Sequence, residues 1–491
     1  MRNTKLTVVR LLAIFCVSQF AFVTAGLSQE VPPAPGAPKS VKVPAVQEAK
    51  LANGLTVAVI EKNAVPLVTI NLLVRAGASS EPSKKAGLAN LTAAMLTKGT
   101  KTRSATEIAE AVEFLGGSIE SGAGWNSSFV SITVTSDKVD QAMAILSDVI
   151  LNPKFEESEL DLLKSQTLDG LKFNLKQPSS LANYVASKYS FSEHPAGGTP
   201  ESVESIKKAD IDHFYSKNYR SDMSVIIYAG NISITKATSI AKLSFNSMEK
   251  WQGTPGTRAE PVGLPMRFGP SEDVRRVLVV DLPKSGQASV GYYKSNSGVG
   301  RRDPLFYPAS VMNSVFGGGY SSRLNLEIRI KRGLSYGAGS SFAWRSNAMN
   351  FSTRAQTKNE SAAEVAGLVI SELKTVANSL VANDELVPRK SVLTGGFGRN
   401  LETTGGLAAA LADLYSFRIP TSALNSYVSE VNGVTTEQIK DFATKALLGG
   451  DIIIVGDYSI FKENLAKRFP GMKIEVIQAD ELDLSKENLR K

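Results

Sequence analysis

Phe316-Gly-Gly-Gly-Tyr-Ser-Ser-Arg-Leu-Asn-Leu-Glu-Ile-Arg-Ile-Lys-Arg-Gly-Leu-Ser-Tyr-Gly-Ala-Gly-Ser-Ser-Phe342 is the stretch from which the rest of this 491-residue chain is read. Gly317, Gly318 and Gly319 leave backbone free to turn tightly or to lie close to another chain. Leu324 and Ile328, with Leu326 and Ile330 more loosely, follow helical spacing. Lys331 and Arg332 before Gly333 mark a helix end: cations beside the last carbonyls, then a residue that tolerates positive φ. Arg329 therefore falls in the last turn, and Tyr336 begins an extended segment seven residues on. That spacing allows both to point into one groove. The plainer alternative is a solvated arginine beside a packed tyrosine.

The chain is too long for one ordinary core and implies two or more domains. With 43% hydrophobic and 21% charged residues it has globular composition. The formal charge of +8 is dispersed, without a run of five like charges, so nucleic-acid binding is not indicated.

Residues 1–25 read as a secretory signal. Arg2, Lys5 and Arg10 precede the apolar run Leu11 to Ala25, which closes on Val23-Thr24-Ala25. Cys16 follows Ile14 and Phe15 rather than the small residues of a lipoprotein signal. The expectation is export, periplasmic in a Gram-negative cell, of a chain that is not an integral membrane protein. The mature chain would lack cysteine, and with it disulfides and thiolate metal sites.

Residues 26–45 are a Pro-rich tether. Asn53-Gly54 signals a hairpin before the strand Leu55 to Ile60, and Val68 to Val74, Phe129 to Val134 and Met223 to Ala229 are further strands. Helical spacing runs near Gly87 to Leu96, Asp137 to Ile150 and Glu156 to Lys176. A Pro/Gly-rich linker spans 253–270, and the end, 476–491, reads as a solvated polar tail.

The second half repeats the first. Glu159, Leu160, Lys164, Ser165 and Gly170 recur 226 positions later as Glu385, Leu386, Lys390, Ser391 and Gly396. Ile211, Phe214 and Lys217 recur 228 later as Ile439, Phe442 and Lys445, and a strand ending in glycine follows each trio, at Gly230 and Gly456. This organisation predicts an α+β fold of two homologous lobes, 46–252 and 271–475, each a mixed or antiparallel sheet with helices packed on it.

The opening stretch resembles the second half of the pitrilysin/insulinase family of zinc metallopeptidases, which includes the mitochondrial processing peptidases. There a Gly-rich strand end, Ser-Ser-Arg-Leu, a helix ending in Arg and a Tyr seven residues later form a donor pair for substrate carbonyls. The resemblance implies that role for Arg329 and Tyr336, with Gly317, Gly318 and Gly319 as substrate-binding backbone. A guanidinium and a phenol hydroxyl are suited to it, since both donate and can stabilise an oxyanion.

The first lobe also resembles the family, through Asn53-Gly54-Leu55-Thr56-Val57, Val74-Arg75-Ala76-Gly77, Gly87-Leu88-Ala89 and Lys98-Gly99-Thr100. Between the last two the family carries H-x-x-E-H, two zinc ligands and a general base on one helix. Here Asn90 stands for the first His, Ala93 for the base and Ala94 for the second His; Asp169-Gly170 stands where a glutamate would supply the third ligand. His194 and His213 have no ligand spacing and read as structural, and no acidic loop of the EF-hand type appears.

The resemblance thus implies a chain that binds no zinc, is inactive alone, and lends Arg329 and Tyr336 to a homologous subunit carrying the zinc motif. The substrate would be a peptide or unfolded protein. The alternative is a catalytically inactive scaffolding or assembly member of the same family. An independent hydrolase is disfavoured: Ser321-Ser322 is no nucleophile elbow, and the Gly-rich runs lack the Lys-Ser/Thr of a phosphate loop.

Overall fold

Strand β6 (Ser224–Gly230) is apolar from Val225 to Ala229, and every residue of it is buried. A strand apolar on both faces belongs in the middle of a sheet. In the computed structural model, which describes residues 42–250 and 274–491, it lies between β2 (Thr56–Glu61) and β3 (Leu67–Val74). β1 (Val46–Lys50), β5 (Ser128–Thr135) and β4 (Ser118–Ala123) complete a six-stranded sheet of order β1-β2-β6-β3-β5-β4. In β5 buried Val130, Ile132 and Val134 alternate with Ser131 and Thr133, so only one face of that side of the sheet is apolar.

The helices of this lobe are α1 (Leu88–Met95), α2 (Ala105–Phe114), α3 (Val139–Leu151), α4 (Glu157–Asn174), α5 (Pro178–Tyr189), α6 (Pro200–Ser205), α7 (Lys208–Asn218) and α8 (Ile234–Phe245). The expected strands and helices of the first lobe are all present, with ends displaced by a residue or two. The 253–270 linker and the 1–25 leader fall outside the described residues.

The second lobe repeats the plan. Its strands are β7 (Val274–Asp281), β8 (Ala288–Ser297), β9 (Ser335–Trp344), β10 (Ala348–Thr357), β11 (Gly450–Gly456) and β12 (Ile474–Gln478), in the order β12-β7-β11-β8-β10-β9. The run β7-β11-β8-β10-β9 matches β2-β6-β3-β5-β4 position for position. The sixth strands differ: β1 pairs antiparallel with β2, whereas β12 pairs parallel with β7. The helices are α9 (Phe306–Phe316), α10 (Arg323–Asn325), which runs on as a π-helix (Leu326–Lys331), α11 (Ala362–Asn378), α12 (Asn383–Asn400), α13 (Thr404–Ser416), α14 (Ala423–Gly433), α15 (Thr436–Ala446) and α16 (Tyr458–Arg468). α4 and α12 are both 18 residues long, and α4/α12 and α5/α13 start at the same 226-residue offset that the sequence repeat shows.

The lobes exchange a helix. α5, from the first half, packs on β8 and β11 of the second sheet, burying Leu181, Ala182, Val185 and Ala186 against Leu278, Val280, Tyr293, Ile453 and Val455. α13, from the second half, packs on β3 and β6 of the first. Thr403 caps α13 by accepting from the Gly406 amide. A buried aliphatic side chain contributes about 1.5–3 kcal/mol, so each exchanged helix ties the lobes strongly.

The segment expected to be a solvated tail is folded. Leu484 and Leu489 join the α5 cluster, and Lys491 N–H donates to the Glu481 carbonyl. Its polar residues face water, but two leucines five apart are enough to seat it.

Candidate functional site

The Gly-rich loop is shaped by close approach. Gly317 is buried, and its carbonyl accepts from Ser340 N–H of β9 at 3.0 Å. A Cβ there would lie 2.4 Å from Ser340 Oγ and 2.5 Å from Ser340 N. Gly317 therefore serves the fold, and its carbonyl is not open backbone for a substrate. Gly318 is exposed and Gly319 half-buried, leaving them at the surface.

Asn325 ties the loop to the strand: its amide donates to the Tyr320 carbonyl, and its Oδ1 accepts from Ala338 N–H of β9 at 3.2 Å. The turn α10 then widens into the π-helix, a form that recurs at functional sites. Leu324 and Ile328 are buried beneath it. Gly333, at φ +64°, ends it and turns the chain into β9.

Arg329 and Tyr336 lie side by side. The guanidinium carbon of Arg329 is 4.9 Å from the centroid of the Tyr336 ring, and 5.0 Å from that of Tyr320. Tyr336 is 91% exposed and Tyr320 66%. The neighbouring cations are spent elsewhere. Arg323 makes a two-pronged pair with Glu385 at 2.8 and 2.6 Å, and Lys331 and Arg332 both pair with Glu327. The hydrogen bond and charge of Glu385 raise the Arg323 pKa above its ordinary value. Burial opposes the charge of Glu327, but Lys331 and Arg332 outweigh it and lower that carboxyl's pKa. Among the described residues no carboxylate pairs with Arg329. Its donors are free for a carbonyl or carboxylate brought from outside.

The positions that would hold zinc sit in the other lobe. Asn90 is exposed on α1, Ala93 is fully buried, and Ala94 is half-buried. α4 packs against α1, and Gly170 on it faces open space. Among the described residues no group of three His, Cys, Asp or Glu could hold a metal ion. A carboxamide, two methyl groups and a glycine supply none of the three ligands that a catalytic zinc requires, so these residues do not fit the ion.

The helix that would carry the motif is nevertheless well built. Glu81, buried, accepts from the amides of Gly87 at 2.8 Å and Ala89 at 2.6 Å at the start of α1. His194 Nε2 lies 3.0 Å from the same carboxylate, and its ring packs on Trp125 with centroids 5.1 Å apart. Arg345 of the second lobe covers Trp125 at 4.6 Å and pairs with Glu193 at 2.8 and 2.6 Å. His194 thus has the structural role expected of it, and His213 is exposed on α7. Among the described residues no hydrogen bond, ion pair or ring contact joins Arg329 or Tyr336 to the α1 positions.

Tyr320, Asn325 and Glu81 were not anticipated from the sequence. A signal for Tyr320 existed, an aromatic residue at the mouth of a Gly-rich loop. Asn325 and Glu81 act through backbone amides and carbonyls that only the fold brings to them.

A family profile described as "Insulinase (Peptidase family M16)" matches residues 56–191, and one described as "Peptidase M16 inactive domain" matches 205–391. A protein from Rickettsia felis named an uncharacterized zinc protease is 27% identical over 351 residues, 70% of this chain and 81% of its own length. One of Bacillus subtilis with the same description is 24% identical over 395 residues, covering 80% and 93%. The crystal structure of a peptidase M16 inactive domain from Pseudomonas fluorescens superimposes with TM-score 0.74 at 26% identity, over 84% of this chain and 98% of that one. A protease from Helicobacter pylori has the same fold, with TM-score 0.74 at 18% identity over 84% of this chain and 100% of its own.

Proposed function

Because this chain belongs to the insulinase family, peptidase family M16, we propose that it is the non-zinc, substrate-binding subunit of a heterodimeric zinc endopeptidase. The reading rests on one asymmetry. Arg329, half-buried, and Tyr336, exposed, are paired and uncommitted, while the α1 positions carry Asn90, Ala93 and Ala94. The second lobe keeps donors for a peptide carbonyl; the first keeps no ligand or base. A homologous subunit bearing H-x-x-E-H supplies the zinc and the water-activating glutamate, and an extended peptide or unfolded protein is the substrate. Arg329 and the Tyr336 hydroxyl donate to the carbonyl oxygen on which negative charge develops.

Purified alone, the chain is expected to cleave no peptide. With its zinc-bearing partner, Arg329→Ala or Tyr336→Phe is expected to lower the turnover number about a hundredfold, the usual cost of losing one oxyanion donor. An unchanged rate would leave a scaffolding role instead, and chelator-sensitive cleavage by the lone chain would refute the reading.

Export is part of the proposal, carried by Arg2, Lys5, Arg10 and the apolar run that follows. Cell fractionation with N-terminal sequencing tests it: recovery from the cytoplasm with Met1 or Arg2 at the N-terminus would overturn it.

A further inference from the structure

The geometry points to Tyr320 as a positioning residue for Arg329, a third member of the donor group that holds the guanidinium in place without using its N–H groups. This rests on the reading of Arg329 as a substrate donor.

An arginine at the surface, as half-buried Arg329 is, is ordinarily either fixed by a carboxylate, which consumes its donors, or free to change rotamer. A donor that must meet a carbonyl in one orientation needs neither. Two aromatic faces solve the problem, because a ring attracts the cation through its π-cloud and accepts no hydrogen bond in the guanidinium plane. Arg329 lies over Tyr320 and Tyr336 at nearly equal distances, 5.0 and 4.9 Å. Two carboxylates at the same helix are taken up by other cations, Glu327 by Lys331 and Arg332 and Glu385 by Arg323, and among the described residues none pairs with Arg329.

Tyr320 is itself held in the frame of the site. Its carbonyl accepts from the Asn325 amide, and the other end of that amide accepts from β9, the strand that carries Tyr336. Arg389 donates to the carbonyl of the next residue, Ser321. A two-thirds exposed tyrosine on a backbone anchored at these points has no core to serve. What it touches is Arg329.

Crystal structures of Tyr320→Phe and Tyr320→Ala test the hold directly. The Phe variant should keep Arg329 over both rings, and the Ala variant should release it into several rotamers. An unmoved Arg329 in the Ala variant would overturn the inference.

Affinity for fluorescein-labelled casein, an unfolded-protein probe, tests the consequence by a double-mutant cycle. Tyr320→Ala should weaken binding about two- to fivefold, the contribution of an exposed cation–π contact. Tyr320→Phe should restore it, and the Ala substitution should have no effect in an Arg329→Ala background. If Arg329→Ala weakens binding but Tyr320→Ala does not, the positioning role fails alone. If casein does not bind, or binds Arg329→Ala as well as the wild type, the reading of Arg329 fails, and the Ala-variant crystal structure decides the hold of Tyr320.

Discussion

The hydroxyls of Thr69 and Thr404, 335 residues apart in the chain, meet at 2.8 Å in a buried contact. Thr69 also bonds Thr133 at 2.9 Å, so the first turn of α13 is joined to β3 and β5 of the opposite lobe by a short hydroxyl chain. Lys62 adds a second tie, donating to the carbonyls of Leu401 and Glu402 just before α13 at 2.9 Å each. These bonds fix the approach of α13, while the apolar burial supplies most of the stability.

The exchange predicts damage at a distance. Val185 is fully buried on α5, in the first half of the sequence, yet the strands it protects are β8 and β11. Val185→Ala is expected to cost about 2 kcal/mol through the cavity it leaves. Hydrogen exchange should then accelerate in β8 and β11 more than in β3 and β5. Equal protection across both sheets would contradict the exchange as described.

Asp451 predicts an acid-sensitive joint. Its side chain is wholly buried, between Arg275 at 2.9 and 2.7 Å and Arg276 at 3.0 and 2.7 Å. Burial opposes its charge, but hydrogen bonds from Arg276 and Arg275 outweigh this and hold its pKa below the ordinary carboxylate value. A depressed folded pKa gives stability that is complete above the unfolded pKa, about 3.9, and is lost as pH falls through the folded one. Asp451→Asn should therefore lower Tm markedly at pH 7. The gap to wild type should narrow only below about pH 4. A gap constant down to pH 2 would be inconsistent with that linkage.

The two ends of the glycine run should tolerate a methyl group differently. Gly317→Ala forces Cβ into Ser340 and is expected to destabilise by about 1–3 kcal/mol, with loss of the loop's seat on β9. Gly319→Ala meets its nearest neighbour only at 3.9 Å, and thermal denaturation should scarcely register it.

Chelation should leave the isolated protein unmoved. With no ligand set at Asn90, Ala94 and Gly170, and no other group of ligands among the described residues, those residues have no metal-binding free energy to lose. Metal analysis after dialysis should find zinc well below one ion per chain, and EDTA should not shift Tm. A drop of several degrees would reveal a site outside the one described.

Much of this was legible in the residues. β6 declares itself by the apolar run Val225 to Ala229, and α4 with α12 by a fixed offset. Arg329 and Tyr336 lie on either side of a helix stop that Gly333 makes explicit. Other features depend on contacts that no local pattern encodes. α5 carries a helical apolar stripe, Leu181, Ala182, Val185 and Ala186, but nothing local says that the sheet it covers is β8 and β11 of the other half. Leu484 and Leu489 sit in a polar segment whose burial depends on α5 already being in place. Gly317 looked like free backbone because the strand it touches lies more than twenty residues further on.

The crossed helices also bear on how such a chain could have arisen. A single lobe made alone would leave one sheet face bare and one apolar helix without a seat, and two copies would cure both defects by swapping. The polypeptide thus carries a fused, domain-swapped pair within itself. Its connecting segment needs only to keep the copies in register, and a protein nicked there should still migrate as one particle.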